Sequence, residues 1–339
     1  MSMEVGINGM GRIGRLLLRA CVEKGIKIAA VNTSSDIHSL IHLLKYDSNH
    51  GKFKADVQIK ENSIIINNND NSHQEIKVIN QRNIEKLNWE ELNVNTVFEC
   101  SGRLLSKELA SAHIKAGAKK VIISAPCDDA DKTIIMGVNE QELNPIHKII
   151  SIGSCTTNAL GPLVKIFNDG LGIEQGYVTT IHAYTFDQNL LDNFHNDLRR
   201  ARSASMSMIP TKSGVSKALK LIIPEIGEKI SGSAIRVPTA NVSLIDFSFT
   251  SKVKTTINQV NSLLKQSVEN NKISSIVGIV DEPLVSIDFS HDPRSTIFDC
   301  LETKVVDNKL VRVLSWYDNE WGFVNRMIDV YTRHKWKGV

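Results

Sequence analysis

The sequence predicts an α/β protein with a Rossmann-type doubly wound parallel sheet and a second α+β catalytic domain whose sheet is mainly antiparallel. Three observations support this class. The first half alternates short apolar strands with amphipathic helices, and the second half contains mostly strands joined by short links. A glycine-rich turn also joins the first strand to the first helix. With 339 residues, the chain is longer than one core usually supports, which favours two domains.

The composition excludes several classes of function. The net charge of +3 is too small to indicate a nucleic-acid partner. No apolar run approaches membrane-spanning length, and the first strand leaves no room for a signal peptide, so we expect a cytoplasmic protein with no membrane partner. The five cysteines are widely spaced and form no CxxC pair. They predict free thiols and no metal site.

The first element of chemical interest is the turn Gly9-Met10-Gly11-Arg12-Ile13-Gly14. A predicted strand precedes it, and a predicted helix that Gly25 closes follows it. This is the context that a dinucleotide-binding fingerprint requires. Gly9 would make the tight turn, Gly11 would let the backbone approach a pyrophosphate, and Gly14 would let the helix pack on the strand. A plain glycine turn is the alternative interpretation.

The second predicted strand, Ile26 to Asn32, ends where dinucleotide-binding folds place an acid that accepts the adenosine ribose hydroxyls. Thr33 occupies that position. The nearest acid is Asp36, directly before an apolar-periodic run from Ile37 to Tyr46. We interpret Asp36 as the N-cap of that helix rather than as a ribose ligand.

The β-α-β rhythm continues to about Gly153, and the pattern then changes. In the first domain we predict short strands within Phe53 to Ile79, then strands at Thr96–Cys100 and Lys120–Ser124 and a helix from Ser106 to Gly117. In the second we predict strands at Tyr177–Ala183, Ser231–Arg236, Asn241–Thr250, Leu284–Phe289, Thr296–Val305 and Lys309–Trp316, with helices at Ser213–Ile223 and Thr256–Val268. A last helix is predicted at Trp321–Arg333.

The predicted domains are residues 1–153, completed by a C-terminal segment 317–339, and residues 154–316. A long, polar and basic segment from Thr185 to Met208 interrupts the second domain. A loop of that length in a compact domain is usually functional.

Cys155 is the candidate nucleophile. The apolar run Lys148–Ile152, Gly153 and the capping residue Ser154 predict that Cys155 opens a helix that reaches Asp169 and ends at Gly170. Free N–H groups and the positive dipole end in a first helical turn favour the thiolate. A buried cysteine that acts as a small apolar residue is the alternative.

His182, at the end of a predicted strand, is the best placed of ten histidines to act as the base. A structural histidine is the alternative for this residue. Arg200 and Arg236 are candidate phosphate ligands because a guanidinium matches phosphate oxygens in a fork. A nucleophile, a nucleotide-binding site and two such arginines together favour a phosphorylated substrate.

Six blocks, in this order along the whole chain, resemble the phosphorylating glyceraldehyde-3-phosphate dehydrogenase family. The blocks are Asn8-Gly9-Met10-Gly11-Arg12-Ile13-Gly14-Arg15, Ser154-Cys155-Thr156-Thr157-Asn158, His182-Ala183-Tyr184-Thr185, Asp197-Leu198-Arg199-Arg200-Ala201-Arg202, Arg236-Val237-Pro238-Thr239 and Trp316-Tyr317-Asp318-Asn319-Glu320.

The resemblance implies an enzyme of glycolysis and gluconeogenesis that oxidises glyceraldehyde 3-phosphate to an acyl phosphate, using NAD and inorganic phosphate. Cys155 would form a hemithioacetal and then a thioester. His182 would lower the thiol pKa and accept the hydroxyl proton. Asn319 would hydrogen-bond the nicotinamide amide. The resemblance also implies a homotetramer, in which the Thr185–Met208 segment packs near a neighbouring subunit's cofactor.

The remaining implied roles fall into two groups. The implied cofactor contacts are Asn8, Gly9, Gly11, Arg12, Ile13, Thr33, Arg82, Ser124 and Asn319. The implied phosphate contacts are Thr185 and Arg236 for the substrate, and Ser154, Thr156, Arg200, Ser213 and Gly214 for the inorganic phosphate.

Three positions depart from the family pattern. Thr33 replaces the ribose-binding acid, Ala159 replaces a second cysteine, and Ser213 replaces a threonine. We expect NAD to remain the better cofactor, with NADP as a poorer one. The first alternative function is erythrose-4-phosphate dehydrogenase, against which Thr185 and the Ser213-Gly214 pair argue. The second is a non-catalytic NAD-binding interaction protein, which predicts damage to Cys155 or His182.

Overall fold

The structure of the protein is a computed structural model that describes residues 4–333 and 336, except 69, 71 and 272. The chain divides into two compact units. The first has the limits Met1–Ile134, Glu140–Ser154 and Val324–Val339, and the second has the limits Ile135–Asn139 and Cys155–Phe323. Residues 317–323, which the sequence analysis placed with the first domain, belong to the second unit because Tyr317 pairs with Ser243 in its sheet. In the described part of the chain, no helix is long and apolar enough to cross a membrane.

The first unit contains a sheet of nine strands among its described residues, in the order β10-β11-β9-β8-β1-β2-β7-β6-β5. The strands are β1 (Glu4–Asn8), β2 (Ile28–Asn32), β5 (Asp56–Lys60), β6 (Ser63–Asn67), β7 (His73–Ile79), β8 (Val94–Glu99), β9 (Lys120–Ile123), β10 (Lys132–Thr133) and β11 (Ile149–Ser151), and a separate small hairpin joins β3 (Tyr46–Asp47) to β4 (Gly51–Lys52). The helices are α1 (Arg12–Glu23), α2 (Ile37–Lys45) and α3 (Lys107–Lys115), with short 3-10 turns at Ile84–Lys86 and Glu140–Glu142.

In the sheet order from β10 to β7, all neighbouring strands pair in parallel. At the other end of the sheet, β6 pairs antiparallel with both β7 and β5. The central strands carry fully buried side chains such as Ile7, Val31 and Phe98, which make the sheet the core of the unit. Because neighbouring parallel strands end at one edge, Asn8, Asn32 and Glu99 come together there.

The second unit contains a sheet of seven strands among its described residues, in the order β13-β14-β12-β15-β18-β17-β16. The strands are β12 (Ile173–Ala183), β13 (Ile209–Lys212), β14 (Ile230–Val237), β15 (Ser243–Ser251), β16 (Val277–Val280), β17 (Thr296–Val306) and β18 (Leu310–Tyr317). The helices are α4 (Cys155–Leu171), α5 (Val215–Ile222), α6 (Pro224–Gly227) and α7 (Ile257–Asn270), with 3-10 turns at Ala204–Met206 and Ser286–Phe289. Helix α8 (Trp321–Thr332) runs from this unit into the first.

This sheet is mainly antiparallel, since only β12 with β14 and β16 with β17 pair in parallel within the described residues. The predicted fold class is therefore confirmed for both halves. The inward face of β15 buries Phe247 and Phe249, and Phe249 lies 5.3 Å from the ring of Phe167 in α4. Packing of α4 on the sheet fixes the position of Cys155 at the start of the helix.

Two predicted elements were wrong in detail. The segment Leu284–Phe289 is not a strand, because Asp288 accepts a hydrogen bond from the N–H of Val285 and closes a 3-10 turn. The strand in this region is β16, which the prediction omitted. Helix α4 also continues past Gly170 to Leu171, and Gly172, with φ of 66°, follows its end. A left-handed backbone, rather than the first glycine in the sequence, marks the end of this helix.

Candidate active site

The glycine-rich turn from Gly9 to Gly14 in the first unit, called the cofactor turn below, has a backbone that fits a dinucleotide. Gly9 has φ of 93°, and a Cβ atom there would lie 2.5 Å from the backbone of Ser101. A Cβ on Gly14 would lie 2.0 Å from the carbonyl oxygen of Gly9. In contrast, a Cβ on Gly11 would meet nothing within 4 Å, and Gly11 caps α1 without a side-chain hydrogen bond. Two glycines are therefore required by packing, and the third leaves space for a pyrophosphate at the helix N-terminus.

A buried hydrogen-bond network supports this turn from the ends of three strands. Asn8 donates from Nδ2 to Glu99 Oε2 over 2.6 Å, and its Oδ1 accepts from Asn32 Nδ2 over 2.7 Å. Glu99 Oε1 also accepts from the backbone N–H and the hydroxyl of Ser101. The Asn8 side chain is thus already bonded to protein, so its contribution to the site includes holding the turn in place.

The network continues away from the turn through His113 and Trp89, which are both fully buried. The indole Nε1 of Trp89 donates to His113 Nδ1 over 3.0 Å. An indole can only donate, so the histidine proton lies on Nε2, which donates to Glu99 Oε2 over 2.9 Å. Glu99 therefore receives hydrogen bonds on both oxygens.

The other predicted cofactor residues of this unit occupy varied surroundings. Arg12 pairs with Asp47 over 3.2 Å, and Ser124 donates from its hydroxyl to the carbonyl of Glu99. Arg82 is exposed, and Ile13 is half-buried at the start of α1. Their sequence-derived role as cofactor contacts stays a prediction.

Thr33 is buried, and its hydroxyl oxygen accepts from the backbone N–H of Ser35 over 3.1 Å. Asp36 caps α2 by accepting from the N–H of Ser39 over 2.9 Å, which confirms the capping interpretation. Strand β2 is therefore followed by a neutral hydroxyl where a carboxylate is usual.

In the second unit, Cys155 is the first residue of α4 and His182 lies near the end of β12. The Cys155 Sγ atom lies 3.4 Å from His182 Nε2. His182 Nδ1 lies 2.7 Å from the carbonyl oxygen of Ala183, which can only accept, and 2.8 Å from Arg236 Nη1, which can only donate. In the tautomer with its proton on Nδ1, bonded to Ala183, Nε2 has a lone pair directed at the sulfur. This arrangement suits a nucleophile and its base.

Burial governs the protonation of this pair. It raises the pKa of the Cys155 thiol, while the charge of Arg236 and hydrogen bonds from Thr156 act in the opposite direction. Burial and the charge of Arg236 lower the pKa of His182 to about 3. In the protein alone, the effect of burial on Cys155 therefore outweighs the groups of the first helical turn that favour the thiolate. Both shifts favour the neutral form, a thiol at Cys155 and an uncharged imidazole at His182.

Arg236 provides a charged donor beside the pair. Its Nη1 lies 2.8 Å from His182 Nδ1 and donates to the carbonyl of Ala183 over 2.9 Å. Its Nε is buried and has no hydrogen-bond partner among the described residues. A buried guanidinium N–H without an acceptor indicates a place for an anion.

The remaining predicted phosphate residues are only partly brought together. Arg200 donates from Nη1 to Asp187 and from Nε to Thr211 Oγ1, so its charge is already paired with a carboxylate. The backbone N–H of Thr185 donates to Gln188 Oε1. Ser213 and Gly214 precede α5, and no side chain caps that helix. Ser154 belongs to the first unit.

Tyr317, for which the sequence predicted no role, links Thr156 to strand β12, which carries His182. The buried Tyr317 hydroxyl lies 3.1 Å from Thr156 Oγ1 and 2.7 Å from Thr180 Oγ1. Its ring also meets the ring of His182 edge-on at 5.9 Å. Tyr317 thereby ties helix α4 to strand β12 beneath the Cys155–His182 pair.

Asn319, the predicted nicotinamide contact, lies in the second unit and is buried. Ser243 donates to its Oδ1 over 2.8 Å. The preceding residue, Asp318, accepts from the side chain of Asn241 and from the backbone N–H groups of His291, Glu320 and Trp321. Both the backbone and the side chain of Asn319 are therefore held in place.

Sequence reasoning missed Glu99, His113, Tyr317, Ser243 and Asp318. Each is buried, and each bonds to elements distant in the chain. Tyr317 and Asp318 lie in the last of the six family-like blocks, but no role followed from it for either residue. Glu99, His113 and Ser243 belong to none of those blocks.

Comparisons with known proteins agree with this arrangement. Residues 3–107 match the NAD binding domain of glyceraldehyde 3-phosphate dehydrogenase, and residues 154–319 match its C-terminal domain. The chain is 47% identical over 332 residues to glyceraldehyde-3-phosphate dehydrogenase of Xanthobacter flavus, covering 97% of each chain. It is 48% identical over 334 residues to the plasmid-encoded enzyme of Cupriavidus necator, again covering 97% of each. It is 45% identical over 341 residues to the Geobacillus stearothermophilus enzyme, covering 100% of each.

Proposed function

The chain belongs to the glyceraldehyde-3-phosphate dehydrogenase family and is an NAD-dependent oxidoreductase of that activity, and we propose that Cys155 and His182 carry out its chemistry. The observation that supports this assignment best is the 3.4 Å separation of Cys155 Sγ and His182 Nε2, with the imidazole held at its other nitrogen by Ala183. The family match confirms the predicted function and cofactor. The residue roles below are proposals.

The first step joins Cys155 to the substrate. The thiol gives its proton to His182 Nε2 as the sulfur bonds to the aldehyde carbon, and His182 passes that proton to the aldehyde oxygen to give a hemithioacetal. The imidazole, neutral again, then accepts the hydroxyl proton as the carbonyl re-forms. The bound NAD supplies a hydride acceptor for the carbon-bound hydrogen. A thioester on Cys155 results.

The second step releases the product. An oxygen of inorganic phosphate bonds to the thioester carbon, the carbon–sulfur bond breaks, and Cys155 leaves as a thiolate that recovers a proton. The product is an acyl phosphate. The Arg236 charge opposes the rise in the Cys155 pKa that burial causes, which makes the sulfur a better leaving group.

Arg236 and Thr185 are the proposed ligands of the substrate phosphate. The unpaired, buried Nε of Arg236 supports this role. Ser154, Thr156, Arg200, Ser213 and Gly214 are the proposed contacts of inorganic phosphate. At Arg200, phosphate would have to share or replace the bond to Asp187.

We also propose a cytoplasmic homotetramer. The five cysteines are free thiols, as in proteins of a reducing compartment. The Thr185–Met208 segment exposes large apolar side chains, of which Phe194 is 100% exposed and Phe186 is 98% exposed. Apolar side chains grouped in this way usually meet another protein surface. The occupant we propose is a second copy of this chain.

The role of Cys155 is tested by Cys155→Ser, with Cys300→Ser as a matched control. We expect Cys155→Ser to abolish turnover and to leave the affinity for NAD nearly unchanged, because a hydroxyl has a much higher pKa than a thiol. Turnover is measured spectrophotometrically with glyceraldehyde 3-phosphate and, separately, erythrose 4-phosphate. Iodoacetamide should modify Cys155 first, since Cys21, Cys127 and Cys300 are buried. Cys100 is half-buried like Cys155, but burial and the charge of Glu99 both raise its pKa, whereas the charge of Arg236 acts to lower that of Cys155. Near-normal turnover of Cys155→Ser, or inactivation through Cys21 or Cys300, would refute the assignment.

A further inference from the structure

Ser243 links the backbone directly after His182 to the side chain of Asn319, far along the chain. Its hydroxyl oxygen accepts from the backbone N–H of Ala183 over 3.0 Å and lies 2.8 Å from Asn319 Oδ1. Ala183 follows His182. Its carbonyl oxygen lies 2.7 Å from His182 Nδ1 and accepts a hydrogen bond from Arg236 Nη1 over 2.9 Å. Ser243 is only 1% exposed, so water does not compete for these bonds.

The directions of these hydrogen bonds follow from the groups involved. A backbone N–H can only donate, so Ser243 is the acceptor at Ala183. The Asn319 atom that faces the hydroxyl is Oδ1, so the hydroxyl hydrogen is donated to it. With the amide turned round, Nδ2 would face Ser243, and the buried hydroxyl hydrogen would lose this acceptor. In the observed orientation the amide oxygen is therefore bonded to Ser243. The amide nitrogen, with its two hydrogens, is left for another partner.

We propose that Ser243 is a positioning residue that holds the Asn319 amide in one orientation, so that Asn319 donates its N–H to the carboxamide oxygen of nicotinamide. The proposal rests on the proposed function and on the role that the family resemblance implies for Asn319, a contact to the nicotinamide amide. Without Ser243, the Asn319 amide can rotate by half a turn and present either its oxygen or its nitrogen. Ser243 thus disfavours the orientation in which Asn319 would accept from the carboxamide N–H, because the buried Ser243 hydroxyl would then lose its acceptor.

The backbone of Asn319 does not depend on Ser243. Four hydrogen bonds to the carboxylate of Asp318 hold the chain at that point. Removal of the Ser243 hydroxyl should therefore change the orientation of one amide and leave the loop in place. This makes the effect separable from a general loss of structure.

The experiment measures the dissociation constants of three probes for the apo protein by calorimetry. NAD carries the carboxamide oxygen, thionicotinamide adenine dinucleotide carries sulfur, a weaker acceptor, in its place, and ADP-ribose lacks the nicotinamide. The variants are Ser243→Ala and Ser243→Thr, the second of which keeps a hydroxyl. Ser315→Ala is the matched control, because it removes another fully buried serine hydroxyl of the same sheet, bonded to Thr296.

We expect Ser243→Ala to weaken NAD binding about fivefold, which corresponds to one hydrogen bond of about 1 kcal/mol. The preference for NAD over the thio analogue should fall toward one, and ADP-ribose should bind as before. Ser243→Thr should restore the preference, and Ser315→Ala should keep it. If Ser243→Ala folds poorly, Ser243→Cys replaces it, since a thiol is a weak donor of similar size.

Two results would have different meanings. If Asn319→Ala weakens NAD binding but Ser243→Ala leaves both affinity and preference unchanged, the positioning role of Ser243 is wrong and the proposed function stands. If Asn319→Ala itself leaves NAD binding unchanged, the assignment of Asn319 as the nicotinamide contact is wrong. A loss of ADP-ribose binding in Ser243→Ala would show general damage and would also overturn the proposal.

Discussion

At the scale of single residues, the reactivity of Cys155 depends on where its proton goes. The imidazole of His182 is 3% exposed, and its pKa is lowered to about 3 by burial and by Arg236. It is therefore neutral at physiological pH, and a neutral imidazole can accept a proton, as the proposed role of His182 as the base requires.

The substitution His182→Asn tests this role. We expect turnover to fall by about 10²-fold or more, the usual loss when a general base is removed. Without an acceptor 3.4 Å from the sulfur, the thiolate becomes harder to form, so alkylation of Cys155 by iodoacetamide should shift to higher pH. The pH profile of alkylation is measured in the apo protein. An unchanged profile would show that His182 does not accept the thiol proton.

Thr33 is the residue that bears on the choice between NAD and NADP. A carboxylate there would accept the ribose hydroxyls and repel the 2′-phosphate of NADP. Thr33 does neither, and its oxygen already accepts from Ser35. No arginine or lysine directly follows it in sequence, so a charge-assisted phosphate contact is missing from this turn.

We therefore predict that NADP supports measurable turnover but remains the poorer cofactor. Thr33→Asp should increase the ratio of kcat/KM for NAD to that for NADP. This ratio is measured for the natural sequence and for Thr33→Asp by steady-state kinetics with saturating aldehyde and phosphate. A preference for NADP in the natural sequence, or a ratio that Thr33→Asp does not move, would contradict this explanation.

At the scale of elements, the carboxyl ends of β1, β2 and β8 form a single hydrogen-bonded unit under the cofactor turn. Asn8, Asn32 and Glu99 come from three strands, and His113 extends the chain of bonds to α3. Asn32 also bonds both backbone groups of Gln81. A change in one member should therefore be felt at the turn that binds the cofactor.

Glu99→Gln tests this network. Each carboxylate oxygen of Glu99 accepts from two donors. In the glutamine variant the amide nitrogen replaces one of these oxygens, so two protein donors would face an N–H group and lose their acceptor. We expect a lower midpoint of urea unfolding, corresponding to about 1–3 kcal/mol, and weaker NAD binding. Glu85→Gln is the control, since it makes the same substitution in an exposed ion pair with Lys115. Equal midpoints for the two variants would remove Glu99 from this role.

At the scale of the whole molecule, the Thr185–Met208 segment predicts association. Its exposed Phe186 and Phe194 are accompanied by Leu190, Leu191, Leu198, Met206 and Met208, each at least 72% exposed. Family resemblance indicates four copies with closed symmetry. We expect sedimentation at the mass of a tetramer at micromolar concentration, and dissociation when Phe194 and Leu198 are replaced by Asp. The mass of a monomer, near 37.7 kDa, would contradict the proposal.

The sequence by itself determined the fold class, the cofactor fingerprint, the family and the pair Cys155 and His182. Local signals sufficed for these: Gly9 and Gly14 follow from turn sterics, and Asp36 follows from helix capping. Local pattern failed at Leu284–Phe289, where the hydrogen bond from Val285 to Asp288 prevailed over apolar alternation.

Only the tertiary structure decided what surrounds the reactive atoms. Burial of Cys155 and His182, and not the helix terminus alone, sets their protonation, because desolvation depends on every element packed around a group. Ser243 and Asn319 are 76 residues apart, and Glu99 and Asn8 are 91 residues apart. Such bonds exist only after the strands have paired, and hydrophobic periodicity along the chain carries no record of them.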